Sequence, residues 1–83
     1  VVQVPVRLSE AALVGAVITV TEAKTQALLE AGVPGTGTAS DAVCILCPLH
    51  GPAEAFAGPR ALWGARIARA VHAAVRAGLR ATS

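Results

Sequence analysis

Two polar knots interrupt an otherwise Ala-, Val- and Leu-rich chain: Thr36-Gly37-Thr38-Ala39-Ser40-Asp41, and upstream of it Thr19-Val20-Thr21-Glu22-Ala23-Lys24-Thr25. Glycine lets backbone N–H groups come close to a ligand, and hydroxyls beside them make a turn able to cradle an anion or a developing oxyanion. Thr36, Gly37, Thr38 and Ser40 are therefore candidate binding residues, with Thr21 in the upstream knot. Asp41 directly precedes the apolar run Ala42 to Cys47. Its carboxylate must meet donors from the turn or face a cleft, where desolvation alters its proton affinity. It is the leading candidate for a catalytic carboxylate.

Glu22 is a candidate general base, weighed against a plainer role as the carboxylate of a Thr19-x-x-Glu22 capping box. Lys24 is a candidate donor to an anionic or amide oxygen, weighed against a solvated lysine in a helix's first turns. Thr36 and Thr38 carry hydroxyls that could serve as nucleophiles, but no histidine lies beside them to activate one. The turn is not a phosphate-binding P-loop, because the lysine is missing and a strand, not a helix, is expected next. His50 lies just past that strand, and His72 falls among the arginines of the last helix, where a solvated role is the simpler reading.

These groups need elements to hold them. Val1 to Leu8 is β-branched and partly alternating, with Pro5 placing it at a sheet edge or strand end. Ser9 caps a short helix from Glu10 to about Val14 that Gly15 closes, and Ala16 to Ile18 is ambiguous. Thr19 then caps a second helix from Val20 to about Ala31, ended by Gly32 or Gly35 ahead of continuation-blocking Pro34. Ala42 to Cys47 reads as a central strand covered on both faces. A final helix runs from about Arg60 to Leu79, with Trp63, Ile67, Ala70, Val71 and Ala74 on one stripe and Arg69, His72, Arg76 and Arg80 on the other side. The fold class is thus α/β or α+β, with helices packed on a mixed sheet.

At 83 residues the chain makes one small domain, yet it is 54% hydrophobic with mean hydropathy +0.62. A domain this size hides only about 60% of its unfolded surface, so something else is expected to cover part of it. The chain opens within what reads as a strand, which implies a C-terminal portion of a larger domain completed by a missing N-terminal portion or a companion chain. No apolar run reaches the roughly 20 residues that span a bilayer, because Gly15 and Thr19 interrupt Ala11 to Val20. A net charge of +2 with only Phe56 and Trp63 as aromatics offers no stacking platform for nucleic acid. Cys44 and Cys47 form a C-x-x-C spacing, but on a strand their Cα atoms lie roughly 10 Å apart, too far for a disulfide. No second pair completes a metal site, so no metal is expected, and buried core thiols in a reducing cytoplasm are the expectation.

Thr21-Glu22-Ala23-Lys24-Thr25, then Gly35-Thr36-Gly37-Thr38-Ala39-Ser40-Asp41-Ala42-Val43, then Phe56-Ala57-Gly58 and Trp63-Gly64 resemble the C-terminal part of the adenosylcobinamide amidohydrolases, the CbiZ family. The resemblance covers nearly the whole chain in order. Ser40 stands where Thr is expected, and the hydroxyl is kept. The resemblance implies that residues 1–83 are the C-terminal portion of one amidohydrolase domain. It also implies hydrolysis of the amide joining aminopropanol to the corrin side chain of adenosylcobinamide, giving adenosylcobyric acid and 1-amino-2-propanol in cobamide salvage. The cobalt corrinoid would be substrate, and no further cofactor is implied with certainty. Chemistry then suggests that Asp41 or Glu22 activates water or a hydroxyl while Lys24 and the Thr36 to Ser40 turn stabilise the oxyanion. The competing readings are a non-catalytic corrinoid-binding or assembly module, and a structural half-domain whose polar turns are only caps.

Overall fold

Four elements follow one another in the computed structural model, which describes residues 1–82: β1 (Val2–Gln3), α1 (Glu10–Glu30), β2 (Ile45–Leu46) and α2 (Leu62–Thr82). The strands pair in parallel, Val2 opposite Ile45 and Gln3 opposite Leu46. Flanking bonds of 2.8 Å from Val2 N to Cys44 O and from Val4 N to Leu46 O lengthen the contact. The fold class read from sequence, helices packed against a small sheet, is the one formed.

Ser9 caps α1 as expected, its Oγ accepting from Ala12 N at 3.0 Å. The helix then runs 21 residues without a break, so the two helices expected on either side of Gly15 are one. A glycine ends a helix when it takes a left-handed conformation just past the last turn, and Gly15 does not. Gly32 does, at φ +80°. Its N–H reaches Leu29 O at 3.0 Å while Val33 N reaches Leu28 O at 2.9 Å, the paired bonds of a Schellman ending. The Thr19–Glu22 capping box is likewise absent, because both residues lie in mid-helix with their N–H groups already engaged.

Thr19 does something else. It is 1% exposed, and its hydroxyl donates to Ala57 O at 2.7 Å. Ala57 belongs to a strap that follows α1 along its length. Glu54 pairs with Leu8 in a parallel bridge, Ser9 N donates to Glu54 O at 2.9 Å and Ser9 Oγ donates to Ala55 O at 3.2 Å. On the strap's other side sits Gly64 of α2, so close that a Cβ there would overlap the carbonyl oxygens of Gly58 and Ala57.

Val4, Leu8, Ala12, Ala16, Val20, Ala57 and Ile67 form the core, with Trp63 and Val71 packed on it. Trp63, Ile67 and Val71 are thus the working part of the α2 stripe, while Ala70 and Ala74 are exposed. Arg66 lies over the Trp63 ring, 4.5 Å from its centroid.

The run Ala42 to Cys47 departs from expectation. Only Ile45–Leu46 is strand, Leu46 is about half exposed, Cys44 is exposed and Cys47 half-buried. Among the described residues the strand is neither central nor covered on both faces, because β1 is its one partner and Leu46 is about half exposed. The thiols are free but not buried in the core. Because Gly15 and Thr19 do not break α1, that helix is long and apolar enough, by length and composition alone, to cross a bilayer. Ala12, Ala16, Thr19, Val20, Ala23 and Ala27 of this helix are buried within the chain, Thr19 against the strap, while Val14, Val17 and Ile18 are exposed.

Two substitutions test the strap. Thr19→Val keeps the shape and leaves a buried carbonyl without its donor, so it should cost about 1–3 kcal/mol in denaturant unfolding, while Thr19→Ser restores most of it. Gly64→Ala, which on an open helix surface would stabilise by up to ~1 kcal/mol, should instead destabilise, because backbone carbonyls occupy the space. An unchanged midpoint for Thr19→Val would show that the strap's carbonyl finds another partner.

Candidate functional site

The helix places Lys24 one turn beyond buried Val20, on the edge of the buried stripe, and the loop after α1 returns over that edge. There Lys24 Nζ donates to Asp41 Oδ2 at 2.7 Å. The second oxygen, Asp41 Oδ1, accepts from Thr38 Oγ1 at 2.6 Å. The turn is closed by Asp41 N donating to Thr38 O at 3.4 Å, and the hydroxyls of Thr38 and Ser40 stand 3.5 Å apart. Asp41 therefore meets donors from its own turn and a cation from the helix at once.

Gly37 makes this possible. Its φ of +144° is one that side-chain-bearing residues rarely adopt, and a Cβ would run into the Asp41 carboxylate and crowd Lys24 Nζ. The consequence is electrostatic. The Lys24 hydrogen bond first, then the Thr38 hydroxyl and the Thr38 backbone, lower the Asp41 carboxyl from 3.8 to about 2. At neutral pH this group is ionised and weakly basic.

Beside the pair opens a mostly apolar cleft of about 340 Å³ between α1, α2, the start of β1 and the residues leading into β2, lined by Val1, Val2, Val20, Val43, Val71 and Val75. Lys24 and Asp41 form part of its lining. Of the other residues singled out from sequence, Thr36 is exposed and makes no hydrogen bond among the described residues. Thr21 donates its hydroxyl to Val17 O at 2.9 Å within α1, one turn from Lys24. Glu22 is exposed and unpaired among the described residues. It lies about 160° around the helix from Lys24, so the structure does not bring it to Asp41.

A second polar cluster was not legible in the sequence. Glu30 Oε2 and His72 Nε2 stand 2.6 Å apart, joining the end of α1 to the middle of α2, and Gln26 Nε2 donates to Glu30 Oε1 at 3.1 Å. His72, with Gln26 next, lowers the Glu30 carboxyl below its ordinary value. His72 is thus half-buried in a helix–helix contact and not simply on a solvated arginine face. Forty-two residues separate the partners, and no local pattern announces such a pairing. Among the described residues no group of three or more His, Cys, Asp or Glu side chains gathers as a metal site.

Comparison with known proteins adds the following. The family model for adenosylcobinamide amidohydrolase (CbiZ) matches residues 1–83. A curated adenosylcobinamide amidohydrolase from Methanosarcina mazei is 44% identical over 82 residues, an alignment covering 88% of this chain and 41% of that protein. The chain thus spans about two fifths of the length of the relative it matches. No solved structure matches it.

Gly37→Ala should part Lys24 from Asp41 and return the Asp41 carboxyl from about 2 toward 3.8, followed by NMR titration of its side-chain carbon. Because the folded value is depressed, the stabilisation from this pair is complete above the ordinary carboxyl value and disappears as pH falls through about 2. A titration midpoint that Gly37→Ala leaves in place would show that the turn absorbs a Cβ without opening the pair.

Proposed function

Because the chain belongs to the adenosylcobinamide amidohydrolase (CbiZ) family, we propose that it contributes to hydrolysis of the aminopropanol amide of adenosylcobinamide, giving adenosylcobyric acid and 1-amino-2-propanol. The observation that carries this reading is the Lys24–Asp41–Thr38 constellation at the edge of an apolar cleft. An amide substrate needs a donor for its carbonyl oxygen and a base for the attacking water. Lys24 is the donor. Asp41 is a weak base while Lys24 holds it, but a carbonyl oxygen that draws Lys24 away removes the largest cause of its depression. Its proton affinity then rises when water must be deprotonated. Thr38 and Ser40 keep the carboxylate aimed, Thr36 and Gly37 offer backbone and hydroxyl contacts, and Thr21 borders the site from the helix. Glu22 stands too far round α1 to share the proton with Asp41 in this arrangement, and a base role for it requires a substrate or further residues reaching the other flank.

Residues beyond these 83 complete the site in this reading, the present stretch forming the C-terminal portion of one amidohydrolase domain. Support comes from the 41% coverage of the relative and from exposed Ile18, Leu46, Leu49 and Phe56, which a larger body or companion chain would cover. Free Cys44 and Cys47 suit a reducing cytoplasm. The cobalt corrinoid enters as substrate. A non-catalytic corrinoid-binding module is the second reading, favoured by the low basicity of Asp41 in the unliganded pair.

Mass spectrometry of adenosylcobinamide after incubation with the complete preparation, any companion chain included, decides between them: appearance of adenosylcobyric acid and aminopropanol is expected, and unchanged substrate in the presence of folded protein selects the binding module. Asp41→Asn should lower kcat by about 10²–10⁴ with KM little changed, and Lys24→Met by about 10²–10³. Turnover unaffected by Asp41→Asn would remove Asp41 from the chemistry.

A further inference from the structure

We infer that the outer face of α1 is a docking surface for a second, apolar protein layer, supplied by the part of the amidohydrolase domain outside residues 1–83 and carrying a basic side chain opposite Glu22. The assignment rests on the proposed completion of that domain and is independent of the chemistry given to Lys24 and Asp41.

The contrast between the two helices is the starting point. α2 is amphipathic, with Ile67 and Val71 turned to the core and Arg69 and Arg76 exposed. α1 has no such polar side. Its buried residues, from Ala12 to Ala27, occupy one stripe. At about 100° per residue, Val14, Val17, Ile18, Thr21, Thr25 and Leu29 gather on the opposite one. Val14 is 64%, Ile18 53% and Leu29 61% exposed. A helix that is apolar on every side belongs in an interior. From Val14 to Leu29 the face runs about 22 Å, roughly four turns of helix, which is long enough to seat another element along its length.

The threonines on this face are already prepared for burial. Thr21 Oγ1 donates to Val17 O at 2.9 Å and Thr25 Oγ1 donates to Thr21 O at 2.8 Å. Both hydroxyl hydrogens are therefore satisfied within the helix, and an apolar layer covers these residues without stranding a donor. The Thr-Glu-Ala-Lys-Thr motif thus has two sides: Lys24 meets Asp41, while Thr21 and Thr25 belong to the outer face.

Charge selects the occupant. Lys24, on one rim of the face, is held by Asp41. The other ionic groups are both acids, Glu10 in the first turn and Glu22 on the opposite rim, each exposed and unpaired among the described residues. A second copy packed antiparallel brings Glu22 against Glu22 at the middle of the face, and one packed parallel brings Glu10 against Glu10, so like charges oppose both. A helix lying on an anionic bilayer is rimmed by cations, the reverse of this arrangement. A protein layer with an apolar centre and a basic residue at its edge meets neither objection. The Methanosarcina mazei relative carries about three fifths of its length outside the matched segment, ample chain to build such a layer.

The test is labelling of introduced cysteines by N-ethylmaleimide in the complete preparation, any companion chain included, with each rate taken relative to the same variant in denaturant and peptide mass spectrometry separating the new site from Cys44 and Cys47. Val14→Cys and Ile18→Cys should be protected at least about tenfold, although both positions are exposed within residues 1–83. Labelling of both at the denatured rate overturns the docking surface. So does protection that disappears on dilution from dimer to monomer, which assigns the face to a second copy, and so does protection that requires added phosphatidylcholine vesicles, which assigns it to lipid. Glu22→Gln should lower the thermal midpoint of the complete preparation by about 2–4 °C and Glu22→Lys by more; equal midpoints for the two variants overturn the basic side chain opposite Glu22. Assaying adenosylcobinamide turnover on the same samples separates this inference from the proposed activity. Turnover with both cysteines freely labelled overturns the docking surface and leaves the hydrolase reading standing, whereas protection without turnover upholds the docking surface and removes the hydrolase reading.

Discussion

A buried carbonyl between two helices organises this chain. Ala57 is almost wholly enclosed, and its oxygen is satisfied by a hydroxyl that α1 supplies from Thr19, in the middle of the helix. A hydroxyl on the buried face of a helix competes for its own backbone unless a tertiary partner claims it, and here the strap claims it. Everything else follows from that register. Ser9 binds the strap at the start of α1, Gly64 lets α2 close against it, and the two long helices meet on either side of this irregular stretch. Small residues along α1, Ala12, Ala16, Ala23 and Ala27, let these segments approach closely. The core is consequently thin, and much apolar surface remains outside it.

The edge that carries Lys24 and Asp41 depends on this packing at one remove. Burying Val20 toward α2 turns Lys24 to the flank over which the Gly37–Asp41 turn folds, and the cleft is the gap that α2 leaves beside Val20. Lys24 and Asp41 do opposite things to one another: the cation makes the carboxylate a poor base, and the carboxylate keeps the ammonium aimed at the cleft. A ligand oxygen that competes for Lys24 changes both at once. That coupling explains why one ion pair, partly exposed and of little consequence for stability, carries chemical interest. Glu30 and His72 show the contrasting case, a carboxylate–imidazole contact that joins helix to helix and borders a second cleft of about 320 Å³.

Legibility in the sequence followed the range of the interactions. The Ser9 cap was read correctly, and so was Gly32 as one of the two stops offered with Gly35; of the expected stripe Trp63, Ile67 and Val71 pack on the core while Ala70 and Ala74 are exposed. Each is decided within a turn or two of helix. Of the two settings expected for Asp41, donors from its own turn or a cleft, the structure shows both, the first because Thr38 lies three residues away. The capping box at Thr19 was misread because Thr-x-x-Glu satisfies orphan N–H groups only where a helix begins, and nothing local says that the preceding Ala16 to Ile18 are already helical. Ala42 to Cys47 was misread as a covered strand because an apolar run says that burial would be favourable, not that the rest of the described chain supplies a second covering element.

By itself the sequence determined the family, through the order and spacing of its Thr-Glu-Ala-Lys-Thr and Gly-Thr-Gly-Thr-Ala-Ser-Asp motifs, and it determined the Ser9 start of α1 and the centre of the apolar face of α2. These are matters of residue identity and of hydrogen bonds closed within a few positions. Only the tertiary structure decided that Thr19 serves Ala57 across 38 residues, that Lys24 and not Glu22 joins Asp41 across 17, and that His72 belongs to Glu30. Neighbours in a motif point to different sides of a helix, and which side meets a returning loop is settled by packing, where distance in space no longer follows distance along the chain.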